Sequence, residues 1–387
     1  MSNFELIATC AFGLEAVISK ELKRLGYFEQ KIENGRVIFL GDEKAIVKAN
    51  LWLRSAERVF IKVGEFEAVT FDELFEKTKM LPWTDYLPET ACFPVDGKSI
   101  KSKLFSVSDC QAIVKKAIVE KMKIKYKNQW FDETGPRYKI EVGILKDIAT
   151  ITIDTSGIGL HKRGYRKLSV EAPIKETLAA ALIQLSRWHP DRPFIDPLCG
   201  SGTIPIEAAL IGRNIAPGLK RNFDAEQWSL IPHSLWANAR EEALQIIDRT
   251  KELYIMGTDI SSEALSLARY HEKEASVENT IHFQQISMKD LRSSKKFGFI
   301  ICNPPYGERL GEKSEVESLY KEMGGVFSNM DNWSYCILTS HPNFERLFGK
   351  RADKKRKLYN GRIQCNYYYY LGVKPPWLQK NKKEIND

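Results

Sequence analysis

The sequence predicts an α/β protein whose second half is a parallel, doubly wound sheet finished by an antiparallel hairpin, preceded by a smaller α+β region. Three observations carry this. From about residue 173, strand-like and helix-like segments alternate, the pattern of a parallel sheet. Near the end, Lys357-Leu-Tyr-Asn-Gly-Arg-Ile-Gln-Cys-Asn-Tyr-Tyr-Tyr-Tyr370 sets Asn360-Gly361 between two strand-like runs, a strong hairpin signal. The first 160 residues instead repeat short strand and helix units. At 387 residues the chain is long enough for two or three domains.

In order, Phe4–Thr9 reads as a strand. Leu14, Val17, Ile18, Leu22 and Leu25 recur at helical spacing before Gly26. A strand over 35–40, a helix over 42–53 and a strand over 58–66 follow. Thr70 is the expected N-cap of a helix to Lys79. Residues 99–105 look extended. Ser108 is expected to cap a long helix to about Lys127, with Ile113, Ala117, Val119 and Ile124 on its apolar side. Strands 138–145 and 148–154 meet at a Lys146-Asp147 turn, and the Gly-rich, basic stretch 155–172 reads as a linker. Beyond it, strands are expected at 193–196, 254–259, 281–285, 298–302 and 334–339. Helices are expected at 174–187, 203–212, 235–250, 262–275, 315–330 and 342–348. The tract Lys350–Lys357 is expected in a loop.

Composition excludes several classes. A chain 43% hydrophobic and 28% charged is neither disordered nor built on disulfides. Its seven cysteines form no Cys-x-x-Cys pair and its six histidines are isolated, so no metal site is expected. No uncharged apolar run approaches the ~20 residues that cross a bilayer. Met1-Ser-Asn-Phe-Glu5 lacks a signal-peptide pattern, and a cytoplasmic protein is expected. The net charge of +8 favours a polyanionic partner without establishing one.

Two segments carry chemistry. In Phe194-Ile-Asp-Pro-Leu-Cys-Gly-Ser-Gly-Thr203, a strand ends on an acid and runs through two glycines into a helix. Gly200 and Gly202 allow the backbone to approach a ligand. Asp196 would repel a pyrophosphate, whereas it suits the α-ammonium and sulfonium of S-adenosylmethionine. Asp259, at the end of the next strand, is the candidate for the ribose hydroxyls. It lies 63 residues downstream, against ~20 in the usual unit, so the segment from about Gly212 to Thr250 reads as an insertion. Asp290 is a candidate for the adenine amino group, although by itself it reads first as a solvated surface acid.

In Phe299-Ile-Ile-Cys-Asn-Pro-Pro-Tyr306, an apolar strand runs into Asn303-Pro304-Pro305-Tyr306 at its carboxyl end. An exocyclic base amine is a poor nucleophile. Acceptors on its two N–H groups favour a pyramidal nitrogen and stabilise the charge that develops as the methyl arrives. The Asn303 side-chain oxygen and the Pro304 carbonyl are the candidate acceptors. The prolines remove competing N–H donors, and Tyr306 offers a ring for base stacking.

On these residues the chain resembles class I S-adenosylmethionine-dependent methyltransferases of the amino-methylating group. More closely, it resembles the bacterial THUMP-domain 23S rRNA guanine-N2 methyltransferases, a family often labelled N6-adenine-specific DNA methylases. Asp196–Thr203 matches the family's cofactor loop, and Asn303-Pro-Pro-Tyr-Gly-Glu-Arg309 its catalytic motif. Asp154–Arg166 matches the end of the THUMP region, Lys175–Ala180 a helix beside the cofactor, and Asn214-Ile-Ala-Pro-Gly218 a family insertion. The resemblance implies a ferredoxin-like unit over 1–57, a THUMP RNA-binding domain over 58–160, a linker over 161–172 and a class I methyltransferase domain over 173–387. It implies S-adenosyl-L-methionine held by Asp196, Leu198, Gly200, Gly202, Thr203, Asp259, Ile260, Asp290 and Asn303. Structured RNA, 23S rRNA or a ribosomal precursor, is the implied partner. The family's fused enzymes carry a second methyltransferase domain that is absent here, so one methylation is expected.

Independently of the resemblance, Lys162, Arg163, Tyr165 and Arg166 combine cationic and aromatic groups suited to RNA. The Lys121, Lys123, Lys125 and Lys127 face suits phosphates too, and equally suits plain solvation. Two rival readings stand beside guanine-N2 methylation: adenine-N6 methylation of RNA or DNA, and an idle RNA-binding or assembly factor.

Overall fold

The computed structural model describes residues 3–168, 174–307, 313–330 and 332–377. It divides into two compact units, one of Met1–Cys10, Ile18–Leu160 and Arg221–Glu242, the other of Ala11–Val17, His161–Lys220 and Ala243–Asp387.

The first unit is built on β1 (Phe4–Thr9), most of α1 (Glu15–Arg24), β2 (Gln30–Glu33), β3 (Arg36–Gly41), α2 (Glu43–Trp52), β4 (Arg58–Glu67), α3 (Phe71–Met80), α4 (Trp83–Tyr86), β5 (Val95–Ile100), α5 (Val107–Tyr126), β6 (Ile140–Leu145) and β7 (Ile148–Asp154). All seven strands join one mixed sheet in the order β2-β3-β1-β4-β7-β6-β5. No break separates a ferredoxin-like half from a THUMP half, because β4 pairs with β1 on one side (Leu6↔Ile61) and with β7 on the other (Ile61↔Ile153). Asp42 and Thr70 cap α2 and α3, each accepting from a backbone N–H three residues on. Lys146 and Asp147 both take positive φ, the geometry of a tight two-residue hairpin turn.

Three expectations change here. The strand expected at 99–105 lies at 95–100, where it pairs in parallel with β6. The cap of α5 is Ser106, not Ser108. Of the expected apolar face of α5, Ala117 is buried and Ile113 and Val119 are half-buried against the core, but the face is centred on Cys110, Val114, Ile118 and Met122, and Ile124 is left 68% exposed.

The insertion explains the long spacing before Asp259. Its residues Arg221–Glu242, including most of α8 (His233–Gln245), belong to the first unit. Trp228 stacks on Tyr138 at 4.6 Å and donates its indole N–H to the Arg137 carbonyl. The Arg221 guanidinium donates to the carbonyls of Ser156, Ile158 and Gly159. Residues 155–160 are therefore packed structure rather than linker, with Thr155 and Ser156 fully buried.

The second unit contains α6 (Glu176–Ser186), β8 (Phe194–Asp196), α7 (Thr203–Gly212), β9 (Ile255–Asp259), α9 (Ser262–Glu274), β10 (Ile281–Gln285), β11 (Phe299–Cys302), α10 (Lys313–Ser328), β12 (Ser334–Thr339), α11 (Phe344–Phe348), β13 (Lys354–Asn360) and β14 (Ile363–Tyr370). The strand order is β10-β9-β8-β11-β12-β14-β13. The first five strands are parallel, and β14 and β13 are each antiparallel to the neighbour before them in that order. This is the expected Rossmann-like sheet with a terminal hairpin. The hairpin is shifted by one residue: Asn360 pairs with Ile363, so the turn is Gly361-Arg362, and Gly361 alone takes positive φ. The tract at 350–357 is half strand, since β13 starts at Lys354. None of the seven cysteines is in a disulfide, and no helix among the described residues is long and apolar enough to cross a membrane.

If the insertion is integral to the first unit, removing the Trp228 ring opens a core cavity. Trp228→Ala is expected to destabilise that unit by ~3–5 kcal/mol, measured by chemical denaturation.

Candidate active site

Strand order brings the two motifs together. β8 sits between β9 and β11, with Asp196 opposite Gly257 and Phe299 opposite Phe194. Parallel strands share an edge, so Asp196, Asp259 and the residues after Cys302 emerge at one carboxyl end, where open α/β sheets bind ligands.

Asp196 is 1% exposed, and its carboxylate accepts from Leu198 N–H at 3.2 Å. Burial, with the neighbouring Asp259 charge adding to it, pushes the Asp196 carboxyl well above the usual carboxylate range. Asp259 organises the loop: Oδ2 accepts from Gly200 N–H at 2.9 Å, and Oδ1 from Ser261 N–H at 3.0 Å. Neither acid has an ion-pair partner among the described residues. A Cβ on Gly202, whose φ is +81°, would meet Ala268 Cβ at 3.0 Å and the Phe283 ring at 3.1 Å. A Cβ on Gly200 would meet nothing within 4 Å. Gly202 is thus required by packing, and the loop is open at Gly200. Thr203 begins α7 and is buried. Ile260 is 65% exposed beside Asp259, and Asp290 is exposed on a single 3-10 turn after β10.

At the second motif, Tyr306 Oη donates to Asn303 Oδ1 and accepts from Asn360 Nδ2 at 3.3 Å. Burial pushes the Tyr306 hydroxyl up, so it remains a neutral donor. Tyr320 Oη donates to the Pro305 carbonyl at 2.7 Å and lies 2.8 Å from Thr339 Oγ1. Pro304 is buried and Pro305 exposed. Glu308 and Arg309 of the extended motif lie outside the described residues. Cys199 and Cys302 flank the site, but burial holds both thiols protonated, which removes them as nucleophiles.

Local sequence carried one missed signal. A glycine inside a strand marks close backbone approach, and a Cβ on Gly257 would meet Phe283 at 2.7 Å and Cys199 Sγ at 3.2 Å. Tyr320 and Asn360 had no local signal, because they reach the tetrapeptide from other elements.

The basic segment expected to contact RNA is mostly interior. Arg163 is 3% exposed and pairs with the fully buried Glu207, which also accepts from the Tyr165 hydroxyl at 3.2 Å. Arg166 pairs with Glu176 and donates to the Ile174 carbonyl. A charge committed to a buried carboxylate is not available to a phosphate. The RNA reading therefore fails for Arg163, Tyr165 and Arg166, and only Lys162 is exposed. Residues 161–168 are not a solvated linker either, and 169–172 lie outside the described residues. On α5, Lys123 is paired with Glu120 and Lys125 with the Thr84 carbonyl.

Comparison with known proteins fits this geometry. The profile of an RMKL-like methyltransferase domain matches residues 163–369, that of an RlmL ferredoxin-like domain 5–60, and that of a THUMP domain 68–154. A Bacillus subtilis relative, named Putative RNA methyltransferase YpsC, is 54% identical over 99% of this chain and 100% of its own length. The chain belongs to the RMKL-like methyltransferase family. Within it, the Ribosomal RNA large subunit methyltransferase K/L of Legionella pneumophila strain Philadelphia 1 is 32% identical over 95% of this chain. This RMKL-like chain spans about half (53%) of that relative's length. The crystal structure of SMU.472, described as a putative methyltransferase complexed with SAH, superposes with a TM-score of 0.92 at 47% identity, covering 97% of this chain and 100% of that one.

Because Arg163 and Glu207 are both buried, Arg163→Met leaves an unpaired interior charge. A loss of ~3–5 kcal/mol is expected in urea denaturation. Lys167→Met, which opens only the exposed pair with Glu274, is expected to leave the midpoint close to wild type.

Proposed function

We propose that this RMKL-like methyltransferase transfers a methyl group from S-adenosylmethionine to the exocyclic N2 of a guanine in 23S rRNA. The observation that carries the reading is the carboxyl edge itself: two acids without a counter-cation, beside an amide oxygen. S-adenosylmethionine supplies an electrophilic methyl on a sulfonium, and its positive charge matches Asp196. The family membership and the SAH complex of a 47% identical structure agree with that cofactor.

The chain's own residues divide the work. Asp196 takes the cationic amino acid end. Leu198, Gly200, Gly202 and Thr203 shape the loop around it. Asp259, beside Ile260, faces the ribose, and Asp290 the adenine. Asn303 Oδ1 and the Pro304 carbonyl accept the N–H groups of the target amine and orient its lone pair. The Tyr306 hydroxyl fixes which way the Asn303 amide points, while its ring serves the base. Oδ1 has a second lone pair, so the bond from Tyr306 leaves room for the substrate. No base on the protein is required, since an amine once methylated loses its proton readily.

The large-subunit rRNA name of a 32% identical relative supports the RNA class, and the THUMP match supports an RNA-gripping front half over 1–160. Lys121 and Lys127 are its candidate phosphate contacts, and Lys162, in the second unit, is a further one.

Asn303→Ala is expected to reduce transfer by about 10²–10³-fold, with donor affinity unchanged by calorimetry. Equal loss of both would remove the role given to Asn303. Nucleoside mass spectrometry of methylated 23S rRNA is expected to show N2-methylguanine, and N6-methyladenine would replace the proposed base.

Asp196 also makes donor binding pH-dependent. Burial raises its carboxyl above the usual carboxylate range in the unliganded protein, and a bound cation favours the ionised form, so binding is linked to proton release. Affinity is expected to rise with pH toward the folded pKa, with proton release detected by calorimetry in buffers of different ionisation enthalpy. Asp196→Asn should abolish that release. A release unchanged in the variant would assign it elsewhere.

A further inference from the structure

The hairpin β13–β14 ends beside the catalytic tetrapeptide. Through two antiparallel pairings β13 runs parallel to β12, so Asn360 lies on the same sheet edge as Asp196, Asp259 and Asn303. The 3.3 Å bond from Asn360 to Tyr306 fixes that adjacency.

Around this hairpin end, cations and rings gather. Lys357 and Tyr359 share one face of the strand by alternation, and the Lys357 ammonium lies 5.7 Å from the Tyr359 ring centre. Phe12, in the segment Ala11–Val17 of the same unit, packs edge-on against Tyr359 at 6.2 Å and is still 56% exposed. Gly13 allows this, since at its φ of +90° a Cβ would meet the Lys357 carbonyl at 2.8 Å. Arg362 is exposed in the turn. Neither Lys357 nor Arg362 has an acidic partner among the described residues. Water does not favour an exposed phenyl ring, and nothing in the described fold covers it. Rings flanked by unpaired cations are what a single nucleic-acid strand requires: faces for bases and charges for phosphates.

We propose that Phe12, Lys357, Tyr359 and Arg362 form a rim that holds the single-stranded RNA nucleotides flanking the methylated base. One base stacks against the Phe12–Tyr359 pair, and phosphates lie on Lys357 and Arg362. This rests on the RNA-methyltransferase reading and adds to it where the strand runs.

The test is filter binding of unmodified 23S rRNA, transcribed in vitro, across a salt series. Phe12→Ala is expected to raise Kd about fivefold or more with an unchanged salt slope. The double variant Lys357→Ala/Arg362→Ala is expected to raise Kd about tenfold and to reduce the slope of log K against log salt by about 1.4. The control is Lys273→Ala on α9, at the opposite edge of the sheet, expected to match wild type. Donor affinity, measured by calorimetry, is expected to be the same in all four proteins. Rim variants that behave like Lys273→Ala, or that lose donor affinity in parallel, overturn the rim. If wild type binds RNA and the rim variants match the control, the rim alone is wrong. If wild type binds and methylates no RNA, the functional reading falls with it.

Discussion

The carboxyl edge of the second sheet sets two acids side by side with no cationic side chain paired to either among the described residues, and the rest of the site is arranged around that deficit. Asp196 is buried at the end of β8, while the carboxylate of Asp259 is tied to the backbone of the loop that follows Asp196. Burying a carboxylate without a partner is costly. The cost is tolerable where a cationic ligand completes the pair. The parallel register β9–β8–β11 is what sets these acids beside Asn303. A slip of one residue in that register would turn each strand's side chains to the opposite face.

Neutral groups surround the other motif. Tyr306, Tyr320, Cys199 and Cys302 are all shifted by burial toward their protonated forms. Two tyrosine hydroxyls donate into the tetrapeptide, one to Asn303 and one to Pro305. That pattern suits positioning of an amine by fixed acceptors. It does not suit covalent catalysis, which needs an ionisable nucleophile with a lowered pKa.

Polar residues that look alike in sequence have separated by burial. Within 162–166, Arg163, Tyr165 and Arg166 support the interior of the second unit through Glu207 and Glu176, whereas Lys162 faces water. The basic tract at 350–357 has the opposite fate. It was expected in a loop, yet its second half is an edge strand, in which Lys355 pairs with Glu345 and Lys357 lies toward the end that meets the Asn303 tetrapeptide.

Periodicity and turn chemistry were enough to place the five parallel strands, the glycine loop, the Asn303 tetrapeptide and the hairpin, because each is encoded by residues adjacent in the chain. Asp259 was legible as the end of a strand. Its partnership with Gly200 was not, because it depends on a segment folding away into the other unit. The seams that sequence misplaced share a cause. The face of α5, the continuity of the first sheet through β4, the burial of Arg163, and the reach of Tyr320 and Asn360 are all set by contacts between residues far apart in the chain. Local pattern reports which groups are present and how the backbone turns around them. Which of those groups meet water, and which meet each other, is decided only when the strands choose their neighbours.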